Sequence, residues 1–128
     1  MRKILPANPQ ASAPALLLLL PSRAQTAFAE KLSTAAISLT QQQVSYDPHY
    51  FVIPYPNGDV PANKGVCTDV VIRAYRKVGV DLQKEVHQDM AANFSKYPKK
   101  WGMKTTDTNI DHRRVPNLMV FFSRKGTV

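Results

Sequence analysis

Apolar residues recur at every third or fourth position in several stretches of the chain, which is the spacing of one face of an α-helix. The longest stripe predicts an amphipathic helix over residues 82–97, which starts after Asp81, a suitable N-cap, and ends before Pro98. The apolar face of this helix consists of Leu82, Val86, Met90, Phe94 and Tyr97. Shorter stripes predict three further helices, over residues 30–43, 68–78 and 116–122.

The helix predicted over residues 68–78 follows a glycine-containing loop and is stopped by Gly79. Its apolar side chains indicate a buried face, formed by Val70, Val71, Ala74 and Val78. Asp69 lies in the first turn, where a carboxylate suits the helix dipole. Two roles are open for Asp69: it caps the helix, or it orients a neighbouring catalytic group.

Residues 44–55 are rich in aromatic and β-branched side chains but are interrupted by Pro48 and Pro54. This composition predicts a short strand at most, at a sheet edge or in a loop that wraps around the core. The aromatic side chains of this stretch are expected to form the wall of a core or a cleft.

Residues 1–29 follow the pattern of a secretory signal peptide. Arg2 and Lys3 are the positive start, residues 15–20 are apolar, and Ala27-Phe28-Ala29 fits a cleavage site. The alternative is a disordered or mistranslated leader. The apolar run is too short for a spanning helix, so the sequence predicts a periplasmic or secreted protein that is not inserted in the membrane after cleavage.

The charge of the chain is moderately basic. The formal net charge is +8, and three of the positive charges (Arg2, Lys3 and Arg23) lie in the leader, which leaves +5 from Glu30 onward. Such a balance favours contact with an anionic envelope polymer, or is simply a solvated surface. The basic residues are scattered and are not interleaved with aromatic residues, so nucleic acid is not an expected partner.

Cys67 is the single cysteine of the chain and stands at the predicted start of the helix after residue 66. The positive end of the helix dipole and the unpaired backbone N–H groups there favour a thiolate, the nucleophilic form. A lone cysteine is also often a small buried apolar side chain, and both interpretations stay open. One cysteine cannot form a disulfide within the chain, so it is a free thiol or half of an intermolecular bridge.

A second group of polar residues, Asn109-Ile110-Asp111-His112-Arg113-Arg114, lies in a predicted loop. His112 is a candidate base for Cys67, with Asp111 or Asp69 orienting its ring, as in cysteine catalysis generally. Arg113, Arg114 and Asp69 are candidates for substrate binding. The three histidines are dispersed and no CxxC or HxxxH motif occurs, so no metal or other cofactor is predicted.

Several motifs occur in an order that resembles a known family: GVCTDVVIRA, VHxDM, YPxxWG and NIDHRRVPNLxxFF. The chain is similar, from about residue 35 to residue 126, to the bacterial domain-of-unknown-function family 1287. That family is usually grouped with papain-like cysteine peptidases of the NlpC cell-wall type. The resemblance implies an α+β fold, with Cys67 as nucleophile at the start of a helix that packs on a small sheet.

Members of that family usually continue past the point where this chain stops, with strands that carry the expected catalytic histidine. We therefore expect residues 30–128 to be the N-terminal, helix-dominated part of a single cysteine-hydrolase-like domain, truncated at its C-terminal side. The first hypothesis is an exported hydrolase that cleaves an amide bond in peptidoglycan peptides and is impaired by the truncation. The alternatives are a non-catalytic domain that binds the envelope or cell wall, and a non-functional gene fragment.

Overall fold

The computed structural model describes residues 22–126. Within that range the chain forms four α-helices: α1 (Ser22–Ser38), α2 (Cys67–Lys77), α3 (Leu82–Ala92) and α4 (Val115–Lys125). Two short strands, β1 (Ser45–Tyr46) and β2 (Lys64–Gly65), pair in parallel. Single 3-10 turns lie at Leu39–Gln41, Phe94–Lys96 and Asp111–Arg113. The expected helix-dominated α+β class is confirmed.

The core lies where α2, α3 and α4 meet. Its buried members are Ile72, Leu82, Val86, Met90, Tyr97, Leu118 and Phe121. Four of the five side chains of the predicted stripe are therefore buried, and the fifth, Phe94, packs against them half-buried. The helix α1 packs on α2, and the ring of Phe28 lies 6.3 Å from that of Tyr75.

The buried face of α2 differs from the one predicted. Val70 and Val71 are 49% and 36% exposed, whereas Thr68, Asp69, Ile72 and Ala74 are buried. The apolar pattern misplaced the face because two polar residues, Thr68 and Asp69, turn inward. They can do so because their polar atoms find partners on the turn that contains Arg113.

The bounds of all four helices differ from those predicted: α2 is shifted by one residue, and α4 runs from Val115 to Lys125 rather than over residues 116–122. The predicted helix over residues 30–43 starts earlier, at Ser22, and gives way after Ser38 to a 3-10 turn. The predicted helix over residues 82–97 ends at Ala92, because Asn93 leaves the helical conformation and donates from its side chain to the Asp89 carbonyl. Asp81 caps α3 as expected, accepting a hydrogen bond from the N–H of Gln83 at 3.1 Å.

Gln83, at the start of α3, forms hydrogen bonds to the loops that contain Pro54, Gly58 and Thr108. Its buried amide donates to the carbonyls of Pro54 and Thr108 and accepts from the N–H of Gly58 at 2.7 Å. A Cβ on Gly58 would lie 1.8 Å from the Pro54 carbonyl oxygen, so only glycine fits at this junction. These contacts fix the loop that leads to β2 and then to Cys67.

The predicted signal peptide lies mostly outside the described residues, which begin at Ser22. Its predicted cleavage site, Ala27-Phe28-Ala29, falls within α1. No helix among residues 22–126 combines the length and the apolar character that crossing a membrane requires.

Candidate functional site

Cys67 is the first residue of α2, and its thiol is exposed. It lies on the wall of a groove of about 330 Å³ between α2, β2 and the segment that follows α1. The groove is lined mainly by apolar side chains: Ala36, Leu39, Val44, Tyr46, Val66 and Val70. The thiol is exposed, so the interpretation of Cys67 as a small buried side chain is wrong, while its interpretation as a nucleophilic thiolate stays a prediction.

Val66, the residue before Cys67, is held by the carboxylate of Asp69. Its N–H donates to Asp69 Oδ2 at 2.7 Å, and the N–H of Asp69 donates to the Val66 carbonyl at 3.0 Å. Asp69 therefore caps the helix, which is one of the two roles predicted for it. The N–H groups of Cys67 and Thr68 stand at the first two helical positions, where no carbonyl of an earlier turn is in place to accept from them.

Asp69 also holds Arg113, which the sequence placed among the candidate substrate-binding residues. The guanidinium donates through Nε and Nη2 to the two carboxylate oxygens, both at 2.9 Å, and both side chains are buried. Thr68 Oγ1 adds a hydrogen bond to the Arg113 carbonyl at 2.8 Å. These contacts join the first turn of α2 to the turn Asp111–Arg113. The charged groups of Asp69 and Arg113 face each other.

His112 is buried, with 2% of its surface exposed. Burial and the neighbouring Arg113 charge lower the pKa of its imidazole from 6.5 to about 4. The ring is therefore neutral at neutral pH. Within residues 22–126, no hydrogen bond joins His112 to Cys67 or to Asp111, so the structure places the predicted triad residues on adjacent elements without linking them.

Asp111 is enclosed between α3 and α4. Its Oδ2 accepts from the N–H of Asp107 at 2.6 Å, while Oδ1 is buried with no partner in the described part of the chain. Burial raises the pKa of this carboxyl. Asn117 donates to the Asp111 carbonyl at 3.0 Å, so Asp111 serves the packing of its turn against α4.

Arg114, the remaining candidate for substrate binding, does not line the groove of Cys67. Its guanidinium lies 4.1 Å from the centre of the Trp101 ring and donates to Met103 Sδ at 2.9 Å. The stacked pair is at the surface, where Trp101 is 41% exposed.

An imidazole–carboxylate pair that the sequence analysis missed lies next to the strand pair. Asp47 accepts from both the N–H and Nδ1 of His49, and these contacts hold the pKa of the Asp47 carboxyl low, at about 2. The N–H of Asp47 donates to the Gly65 carbonyl at 3.0 Å, two residues before Cys67. The spacing Asp-x-His is visible in the sequence, but the contact of Asp47 with Gly65 across the strand pair is not.

No group of three His, Cys, Asp or Glu side chains within residues 22–126 is arranged to hold an ion. The candidate site contains an exposed helix-start thiol on an apolar groove, and the Asp47–His49 pair follows the strand that pairs with β2.

These features define a small helix-dominated α+β protein with one exposed thiol at a helix start. The model of a family described as Domain of unknown function (DUF1287) matches residues 33–128. The chain belongs to this family.

A curated relative is the Uncharacterized protein YijF of Escherichia coli (strain K12), which is 65% identical over 79 residues. The matched region is 62% of this chain but only 38% of that protein. No solved structure matches the chain.

Proposed function

We propose that this chain carries the nucleophile of an exported cysteine hydrolase, which cleaves an amide bond in cell-wall peptides. The observation that carries the proposal is the position of Cys67, exposed at the first residue of α2 on the wall of the apolar groove. Export is supported by the signal-like pattern of residues 1–29. The cell-wall substrate is supported only by the resemblance to NlpC-type cysteine peptidases.

In the proposed reaction the thiolate of Cys67 attacks the carbonyl carbon of the amide. The N–H groups of Cys67 and Thr68 donate to the oxyanion that forms, since they point out of the helix start. The C–N bond then breaks, the amine leaves with a proton from the base, and a thioester remains on Cys67. Water attacks the thioester, the carboxylic acid is released, and the proton returns to the thiol.

The base we propose is His49, with Asp47 as the group that orients its ring. Asp47 is charged and engages Nδ1, which leaves Nε2 of an exposed ring free to accept a proton. Within residues 22–126 no hydrogen bond joins this ring to Cys67, so in the proposed reaction the thiol proton reaches His49 through water. β1 and β2 are parallel, with Tyr46 paired with Gly65. The chain segments that lead to His49 and to Cys67 therefore leave the strand pair at the same end. His112 is the weaker candidate because it is buried and its pKa is about 4.

The test has two parts, and the first measures the thiol. Cys67 is the single cysteine, so mass spectrometry of the full chain after iodoacetamide treatment reports this site without ambiguity. We expect alkylation at pH 7 to be faster than that of glutathione. Alkylation slower than that of glutathione would remove the basis for a reactive thiol.

The second part measures the release of free amine from purified peptidoglycan peptides. Cys67→Ala should abolish release, and His49→Ala should lower it by about 100-fold or more, the usual contribution of a positioned base. His112→Ala, corrected for the folded fraction, should retain most of the wild-type rate. Val71→Ala, outside the groove, is the control, and turnover that survives Cys67→Ala would overturn the proposal.

A further inference from the structure

Trp101 lies in a lysine-rich stretch of the chain and contacts Arg114, on elements other than those that form the groove of Cys67. Trp101, Val115 and Met119 are 41%, 47% and 68% exposed. Arg114 stacks on Trp101 and directly precedes Val115, so the loop of Trp101 lies beside the start of α4. Val115 and Met119 are one helical turn apart and share a face of α4.

The positive charges of this stretch and of Arg114 form no ion pairs within residues 22–126, although Arg114 interacts at longer range with the charge of Asp111. Lys96, Lys99, Lys100 and Lys104 fall in a stretch, residues 90–106, that has no acidic residue. Within residues 22–126, none of these lysines and no atom of Arg114 forms an ion pair. Lys99 is held over the Phe94 ring, 4.1 Å from its centre, and donates to the Tyr97 carbonyl at 2.9 Å.

We propose that the Trp101 surface, formed by Lys99, Lys100, Trp101, Lys104, Arg114, Val115 and Met119, docks reversibly on an anionic lipid bilayer. Its charge is complementary to acidic headgroups, which attract clustered lysine and arginine side chains near a membrane. Its exposed tryptophan is the side chain most typical of the membrane–water interface, where the ring lies at the level of the headgroups.

The apolar members of the surface favour a bilayer over a soluble anionic polymer. A polymer would be bound by the lysines and Arg114 alone and would leave Val115 and Met119 in water. A bilayer also covers these two side chains, while the lysine stems extend along its surface with their ammonium groups in water. The proposal concerns docking on the surface of the membrane and does not depend on the chemistry of Cys67.

Trp101 is the single tryptophan of the chain, so its fluorescence reports contact at this surface directly. The full chain is mixed with vesicles of phosphatidylcholine and phosphatidylglycerol, or of phosphatidylcholine alone, with brominated acyl chains as the quencher. We expect a blue shift and quenching with the anionic vesicles, reversed by high salt because screening weakens the attraction. Neutral vesicles should leave the emission unchanged.

Two charge-matched variants of the full chain locate the contact. Lys100→Gln with Lys104→Gln should weaken binding to anionic vesicles by about 10- to 30-fold, given the usual contribution of each lysine near such a surface. Lys31→Gln with Lys84→Gln removes the same charge from exposed positions on α1 and α3 and should weaken it by less than about threefold.

Three outcomes would overturn the proposal. Equal losses in the two variants would mean that only the net charge attracts the vesicles. Vesicle binding without any change in Trp101 emission would place the contact elsewhere, including the apolar leader. Binding to heparin without quenching by brominated lipid would assign the surface to a soluble polyanion.

Discussion

Asp69 shows how one side chain sets the local structure on which the exposed thiol depends. Its carboxylate accepts from the N–H of Val66 and from two nitrogens of Arg113, all at 2.7–2.9 Å. The buried guanidinium has a compensating charge only because Asp69 is there. A buried ion pair adds little net stability by itself, but the loss of one partner leaves a charge in a medium that solvates it poorly.

We therefore predict that Asp69→Asn lowers the free energy of unfolding by about 3–5 kcal/mol, the usual cost of breaking a buried pair. Urea denaturation followed by circular dichroism measures the change. The matched control is Asp59→Asn, which breaks the more exposed pair with Arg73 at 2.9 Å and should cost less than about 1 kcal/mol. Equal losses in the two variants would show that burial does not govern the contribution of Asp69.

At the scale of secondary structure, sequence periodicity located the helices well but not all of their faces. Gly79, with φ +91°, follows the end of α2 close to the predicted position. Periodicity could not reveal that α2 turns Asp69 inward, because the partner that permits it, Arg113, lies 44 residues away. Because Asp69 faces inward, Val70 and Val71 are exposed.

The assignment of the α2 face leads to a second prediction. Ile72 is 1% exposed, so Ile72→Ala should destabilise the protein by about 2–4 kcal/mol through lost burial and the cavity that remains. Val71, its neighbour in sequence, is 36% exposed, and Val71→Ala should change stability by less than about 1 kcal/mol. If Val71→Ala were the more destabilising of the two variants in urea denaturation, the buried face of α2 would be the one predicted from the sequence.

The candidate site was predictable only where chemistry depends on local sequence. The position of Cys67 at a helix start follows from the residues on either side of it. The burial of His112 and the pairing of Asp69 with Arg113 depend on contacts between distant segments. The same holds for the placement of the Asp47–His49 pair beside β2, which requires the hydrogen bond from Asp47 to Gly65.

At the scale of the whole molecule, the buried His112 links folding stability to pH. Its pKa is about 4 in the folded protein, against 6.5 for an unburied imidazole, because burial and Arg113 oppose its charge. The charges of Asp69, Arg76 and Asp81 also act on the ring. The unfolded chain therefore binds a proton at a higher pH than the folded chain does, and protonation favours unfolding.

The stability that His112 contributes is fully present above pH 6.5 and is lost as the pH falls towards 4. A pKa difference of this size corresponds to about 3 kcal/mol. The raised pKa of Asp111 has the opposite effect on the pH dependence, since the stability that Asp111 contributes is lost as the pH rises above 3.8. A comparison of variants that share Asp111 separates the two effects.

We predict that the wild-type protein loses about 3 kcal/mol of unfolding free energy between pH 6.5 and pH 4 because of His112, and that His112→Gln loses correspondingly less. Urea denaturation at half-unit intervals of pH gives both slopes. Val71→Ala is the control, because Val71 is 36% exposed and carries no titratable group, so this variant should leave the wild-type slope in place. Parallel slopes for the wild type and His112→Gln would mean that the ring meets solvent before the protein unfolds, which would return His112 to consideration as the base for Cys67.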